Sequence, residues 1–69
     1  MFKNYYVLKS GEYYLSYLFY DLEGHLNNYE ISKEYQKLYS DIDKAEEERK
    51  IIFIETGLNL EIRKFKEVE

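Results

Sequence analysis

The sequence predicts an α+β domain in which a small antiparallel sheet packs against one main helix, in the order βββαβ. Runs rich in aromatic and β-branched residues, separated by turn residues, recur through the first 31 positions, and this pattern is typical of short strands. From Ile31 the apolar spacing changes to the three-and-four pattern of a helix. Alternation returns from Leu58 to Ile62, so a C-terminal strand joins the three-stranded meander. With 69 residues, the chain is expected to form a single domain, residues 1–69.

The first two strands are predicted to form a hairpin, from Tyr5 to Lys9 and from Tyr13 to Tyr20. A two-residue turn at Ser10-Gly11 places Leu8 beside Tyr13. Ser-Gly is a weaker turn signal than Asn-Gly, so a longer loop with a bulge is an alternative that exchanges the two faces. One face of the hairpin is expected to supply the core residues Tyr6, Leu8, Tyr13, Leu15, Tyr17 and Phe19.

A second turn is predicted from Asp21 to His25, because Asp initiates turns and Gly24 supplies a positive φ. After this turn, Leu26 to Ile31 is expected to return as a third strand. Its two asparagines make that strand short and irregular.

The main helix is predicted from residue 41 to residue 56. Ser40 or Asp41 is a suitable N-cap, and Gly57 suits the position after the last turn. Two alternatives stay open: an extension back to residue 33, and a strand at Ile51–Ile54, because β-branched residues favour sheets. The helix and the last strand are expected to add to the core Ile42, Ala45, Ile52, Phe53, Leu60 and Ile62.

The tyrosines are the most unusual feature of the composition, since all nine fall in the first 39 positions. The core-facing side of one small sheet does not require all nine tyrosines. The second hairpin face therefore carries a surplus: Tyr5, Val7, Tyr14, Leu18 and Tyr20. Tyrosine is enriched in protein interfaces because it brings contact area and a hydroxyl group. This face is a candidate partner-binding surface, and a homodimer interface is the competing interpretation.

The predicted helix offers a second candidate binding surface in Glu46, Glu47 and Glu48. Acids near the start of a helix commonly complement its dipole and form a solvated face. The same acids are a weak basis for imitating DNA phosphates, because Lys44 and Arg49 interrupt the negative field.

Composition argues against several other functions. Without cysteine, the chain has no disulfide, thiolate zinc site or cysteine nucleophile, and a cytoplasmic location is favoured. The single histidine, His25, lies in a predicted turn, so no catalytic base, metal site or cofactor is expected. The net charge of −4 argues against nucleic acid as a partner. No apolar run approaches the ~20 residues of a membrane span, and no signal peptide is predicted.

A pattern across most of the chain resembles small accessory proteins of phages and prophages in low-GC Gram-positive bacteria. It consists of the opening Tyr5 to Leu15, the helix from Asp41 to Gly57 and the strand from Leu58 to Phe65. The bias towards Lys, Glu, Ile, Asn, Tyr and Phe, without Pro, Trp or Cys, is what an AT-rich coding sequence gives. Some proteins of that kind bind and inhibit host enzymes or defence systems. The pattern includes no diagnostic motif, so it assigns no functional residue.

The expected function is that of a non-catalytic protein-binding module, a phage-encoded modulator or inhibitor of a host bacterial protein such as a defence or nucleic-acid-processing enzyme. Two alternatives remain: a self-associating structural protein whose tyrosine face is a homodimer interface, and a DNA-mimicking acidic inhibitor. A protein partner is expected, whereas an enzymatic activity, a membrane and a nucleic acid are not.

Overall fold

The structure, a computed structural model, describes the backbone of residues 2–68 and the side chains of residues 4–64. It confirms the predicted α+β fold and the order βββαβ, with four antiparallel strands arranged β3-β2-β1-β4 and one helix. The elements are β1 (Phe2–Ser10), β2 (Tyr13–Tyr20), β3 (Leu26–Ser32), α1 (Ile42–Thr56) and β4 (Glu61–Val68).

The bounds of α1 follow from its two caps. The Asp41 carboxylate accepts a hydrogen bond from the Asp43 backbone N–H at 2.9 Å, which satisfies a donor that the first turn leaves unpaired. At the other end Gly57 adopts a φ of 79° and donates its N–H to the Phe53 carbonyl. The predicted helix is therefore confirmed, and Ile51–Ile54 is helical. The extension back to residue 33 is wrong.

The β1–β2 turn lies one residue later than the sequence predicts. Ser10 pairs with Tyr13 and Lys9 with Tyr14, so the turn residues are Gly11 and Glu12. Gly11 supplies a φ of 60°, a conformation that other residues adopt only with strain. The register differs from the predicted one by two residues, and a shift of two leaves each side chain on its predicted face.

Beyond Lys9 and Tyr14 a third stretch of backbone comes between β1 and β2. We call residues 37–39 the inserted segment. Tyr39 exchanges both backbone hydrogen bonds with Tyr6 of β1, at 2.8 and 2.9 Å. The Lys37 N–H donates to the Leu15 carbonyl of β2 at 2.8 Å. The inserted segment therefore bonds to both strands at the place where their own pairing ends.

A β-bulge at Ser16 reverses the faces of the second half of β2. Leu15 pairs with Ile31, but Tyr17 pairs with Glu30, so Ser16 is an extra residue in the ladder. After the bulge Leu18 packs against the core. A second irregularity follows between Phe19 and Tyr20.

The bulge explains why four predicted positions are wrong. Tyr17 and Phe19, expected in the core, lie on the face away from α1, and Phe19 is 54% exposed. Leu18 and Tyr20, expected on that outer face, turn towards α1 instead, and Tyr20 reaches a helix side chain. A one-residue insertion has this effect because strand side chains alternate with a period of two.

The core lies between α1 and the inner side of the sheet. Its buried cluster consists of Leu8, Leu15, Tyr39, Ala45, Ile52 and Leu60, with Tyr6, Leu18, Leu26, Tyr29, Leu58 and Ile62 packed against it. Three other predicted core residues, Tyr13, Ile42 and Phe53, are exposed. Phe53 follows the buried Ile52 by one residue, about 100° around a helix, and points away from the sheet.

Deleting Ser16 should leave the fold in place, because Leu15 and Tyr17 become consecutive and regular alternation then keeps Leu18 and Tyr20 on the side of α1. We expect a loss of about 1 kcal/mol in the free energy of unfolding, measured by urea denaturation, since the hydrogen bond of the Ser16 side chain is removed and the core is kept. The control Ser16→Ala keeps the bulge and removes only the hydrogen bond from Ser16 Oγ to the Glu30 carbonyl, about 1 kcal/mol. A loss of about 3 kcal/mol or more in the deletion variant, well beyond that of Ser16→Ala, would contradict the assignment of Ser16 as the extra residue, because it would mean that the deletion turns Leu18 out of the core.

Candidate functional site

The eight residues that the sequence proposes for partner binding do not form one surface. Tyr5, Val7 and Tyr14 share the face of the sheet opposite α1, as predicted. Leu18 and Tyr20 lie on the helix side, because the bulge at Ser16 reverses the faces of the second half of β2. On α1, Glu46 is half-buried and Glu47 exposed, whereas Glu48 is buried.

The Glu48 side chain, only 2% exposed, is the most enclosed charged group among residues 4–64. Its Oε1 accepts hydrogen bonds from Lys37 Nζ at 2.8 Å and from the Tyr39 hydroxyl. Its Oε2 accepts one from the Tyr20 hydroxyl at 3.1 Å. We call Tyr20, Lys37, Tyr39 and Glu48 the Glu48 cluster. It joins the end of β2 and the inserted segment to the middle of α1.

The surroundings of the Glu48 cluster fix its protonation state. Burial by itself would raise the pKa of Glu48, but hydrogen bonds from Lys37 and Tyr39 outweigh burial and hold that pKa below its usual value. Burial and the neighbouring carboxylate raise the pKa of Tyr39, and the same causes raise that of Tyr20 to about 12. At neutral pH the carboxylate is charged and both phenols are protonated, so the cluster acts as a fixed structural tie.

Glu48, predicted from the sequence to lie on an exposed helix surface, is a core position, and its spacing carries a signal for this. Glu48 lies three residues after Ala45 and four before Ile52, on the same helical stripe as both. Because Glu48 belongs to a run of three acids, the local composition indicates a solvated face and conceals this core spacing.

The outer face of the sheet carries the surface most suited to binding. We define it by Tyr5, Val7, Tyr14, Tyr17, Phe19 and Leu38. The Tyr17 and Phe19 rings meet edge to face with centroids 4.8 Å apart, and the Tyr17 hydroxyl donates to Glu30 at 2.8 Å. Leu38, 50% exposed, lies between Lys37 and Tyr39, whose side chains both reach Glu48 on the other side. The alternation of extended backbone therefore directs Leu38 outwards.

A concavity of about 460 Å³ opens on this outer face. It is lined by Val7, Lys9, Tyr14, Gln36, Arg63 and Lys64. Val7 is 2% exposed although it lies on the side away from α1. Lys9 Nζ lies 5.5 Å from the centre of the Tyr14 ring, and the Arg63 guanidinium lies 3.4 Å from the Glu61 carboxylate. The concavity thus combines an apolar floor with a positive rim.

The acids of α1 do not form a strong negative field. Arg49 donates two hydrogen bonds to Glu46, at 3.0 and 3.3 Å, and these bonds lower the pKa of Glu46. Glu47 lies 3.5 Å from Lys44 Nζ. Because Glu48 is buried and the other two acids are paired with basic residues, the exposed surface of α1 carries both signs of charge. Of the three functional interpretations, the DNA-mimicking inhibitor is therefore the least favoured.

The remaining candidate, His25, is exposed in the β2–β3 turn, 3.8 Å from Glu23. Asp21 organises this turn by accepting the backbone N–H groups of Glu23 and His25, each at 2.9 Å. Among residues 4–64, whose side chains the structure describes, no cluster of three or more His, Asp and Glu side chains is placed to hold a metal ion. Within the same range, no helix combines the length and apolar character required to cross a membrane.

Replacing Glu48 by Ala should cost about 3 kcal/mol in the free energy of unfolding, because Lys37 and two phenols lose their common partner. The matched control Glu47→Ala removes only an exposed pair and should cost about 0.5 kcal/mol. Because the folded state holds the pKa of Glu48 below 4.5, its contribution is complete above that pH and is lost as the pH falls further. Urea denaturation between pH 7 and pH 3 should therefore show a smaller loss in Glu48→Ala than in the wild type.

Tyr20 should contribute to alkaline unfolding. Between pH 10.0 and about 12 the unfolded chain releases the Tyr20 proton while the folded chain keeps it, so the free energy of unfolding falls as the pH rises. We expect Tyr20→Phe to flatten this fall, measured by denaturation at several pH values. An unchanged slope would show that the Tyr20 hydroxyl is not held by Glu48 in solution.

Comparison of the chain with models of protein families, with curated proteins and with solved structures finds no match in any of the three. The assignment of function therefore depends on the surfaces of this molecule.

Proposed function

We propose that this chain is a non-catalytic protein-binding module, a phage-encoded modulator or inhibitor of a bacterial host protein, and that its outer face is the binding surface. The observation that carries the proposal is the one-sided arrangement of the domain. Helix α1 packs against the inner side of the sheet, and among the described residues no element covers the rings of Tyr17 and Phe19 on the other side.

The chemistry of the outer face supports a protein partner. Tyrosine and phenylalanine provide large contact areas with little loss of side-chain entropy, and aromatic residues are enriched at interface centres. The pair of Tyr17 and Phe19 is held by an edge-to-face contact and by the hydrogen bond to Glu30. A surface that is ordered before binding loses less entropy when a partner docks.

The kind of partner follows from the charges and from the resemblance to phage accessory proteins. The outer face carries Lys9 and Arg63 near β4, with Glu61 beside them, and Glu30 near β3. A mixed surface of this kind suits a folded protein better than a uniformly negative nucleic acid. The lack of cysteine supports a complex formed in the bacterial cytoplasm.

A homodimer is the second candidate, and the same charge distribution favours it. On the outer face Lys9 lies on β1 and Glu30 on β3, on different sides of the sheet, whose strand order is β3-β2-β1-β4. A two-fold axis that lies in the interface between two such faces and runs parallel to the strands would bring Lys9 of one copy towards Glu30 of the other. Self-association would then use the surface that we propose for a host protein.

The double substitution Tyr17→Ser and Phe19→Ser should leave the fold intact and abolish binding, because both rings lie outside the core. The test is capture of protein from a host-cell lysate by immobilised wild-type and variant chains. The control Ile54→Ser removes an apolar side chain, 79% exposed, from α1 and should bind like the wild type.

The two candidates differ in the mass measured by light scattering across a concentration series. A doubled mass that the double substitution abolishes would favour the homodimer over the host partner. Capture that survives the double substitution and is lost in Ile54→Ser would contradict the outer face as the binding surface.

A further inference from the structure

We propose that the concavity of the outer face receives an aspartate or glutamate side chain of the bound protein. This inference rests on the proposed function and specifies which chemistry the partner presents. Tyr14 lines the concavity and precedes Tyr17 on the same strand, β2, so a partner that covers Tyr17 and Phe19 can extend along the outer face and fill it.

The backbone creates the concavity. Strands β1 and β2 pair at Lys9 and Tyr14, and the inserted segment then bonds to both of them. Val7, Tyr14 and Gln36 line the space at this fork. Because the fork is maintained by backbone hydrogen bonds and by the Glu48 cluster beneath it, the space is a persistent part of the fold.

The lining residues match a carboxylate on a short apolar stem. Lys9 and Arg63 supply positive charge on the outer face, and no acid is among the lining residues that the structure describes. The buried Val7 and the Tyr14 ring offer an apolar surface for the methylene groups of the stem. A guanidinium binds a carboxylate through two parallel hydrogen bonds, which gives Arg63 the leading role.

The existing partners of these cations leave them available. Arg63 and Glu61 are 3.4 Å apart, with 62% and 67% of their side chains exposed, and an exposed pair of this kind contributes little. Lys9 lies over the Tyr14 ring at 5.5 Å, a contact that positions its ammonium group and leaves its charge unneutralised.

Size and charge favour a protein side chain over a polyanion. A volume of about 460 Å³ is near the lower end of ligand pockets and accommodates one side chain with its neighbours. Glu30 lies on the same face at the β3 side of the sheet, where it would repel an extended phosphate backbone that crosses the face but not a single side chain seated in the concavity.

The test is an NMR titration of the ¹⁵N-labelled chain with the tripeptide N-acetyl-Phe-Glu-Leu-amide. We expect saturable shifts at the amides of Val7, Gln36 and Arg63. The matched tripeptide with Gln in place of Glu should bind about fivefold more weakly, because it lacks the charge. Inorganic phosphate and a short oligothymidylate serve as probes for the other anion classes.

Arg63→Gln should weaken binding of the Glu tripeptide about tenfold, and adding Lys9→Gln should weaken it further. Lys50→Gln, which removes an exposed lysine from α1, should have no effect. The thermal midpoint of each variant, measured in parallel, shows whether the fold is retained. Arg63→Gln alone is sufficient for the test if the double variant is unstable.

Equal binding of the two tripeptides, or no shifts at the three amides, would overturn the inference. Tighter binding of phosphate or oligothymidylate than of the Glu tripeptide would overturn it as well. These outcomes leave the proposed function standing if capture still depends on Tyr17 and Phe19. Loss of that dependence, with the tripeptide result unchanged, would instead refute the proposed function.

Discussion

The buried carboxylate of Glu48 is the interaction on which the rest of the structure depends. A charge removed from water is stabilised only when hydrogen bonds and an opposite charge replace its solvation. Tyr20, Tyr39 and Lys37 provide that replacement from β2 and from the inserted segment. Their positions determine which side of the sheet the end of β2 presents to α1. They also hold the inserted segment between the strands, which produces the fork and its concavity.

The size of the domain explains why, among the described residues, one face of the sheet has no helix packed on it. A chain of this length buries only about 60% of the surface that its unfolded state exposes, so one helix covers one side of the sheet and no more. The bulge at Ser16 then assigns Leu18 to the core and Tyr17 and Phe19 to the outer face. The proposed binding surface is thus the complement of the core. The same insertion that completes the packing against α1 leaves the aromatic pair exposed.

Local signals in the sequence were sufficient for the fold class and the helix. Asp41 and Gly57 mark the ends of α1 through capping geometry that involves only nearby residues. Alternation in β1 places Tyr5 and Val7 on the outer face even though the turn is displaced, because a two-residue shift conserves the faces. Leu8 and Leu15 were assigned to the core correctly for the same reason.

The tertiary structure alone decided the second half of β2, the inserted segment and the state of Glu48. A bulge is favoured by what the strand packs against, and nothing near Ser16 in the sequence encodes that surface. The inserted segment forms its backbone hydrogen bonds with residues of β1 and β2 that lie more than twenty positions away in the chain. From the sequence alone, Glu48 is one of three acids on a solvated face. Only the folded structure brings Lys37, Tyr39 and Tyr20 to it. Local periodicity and capping therefore determined the elements, whereas long-range pairing and burial decided which aromatic residues of the sheet remain exposed.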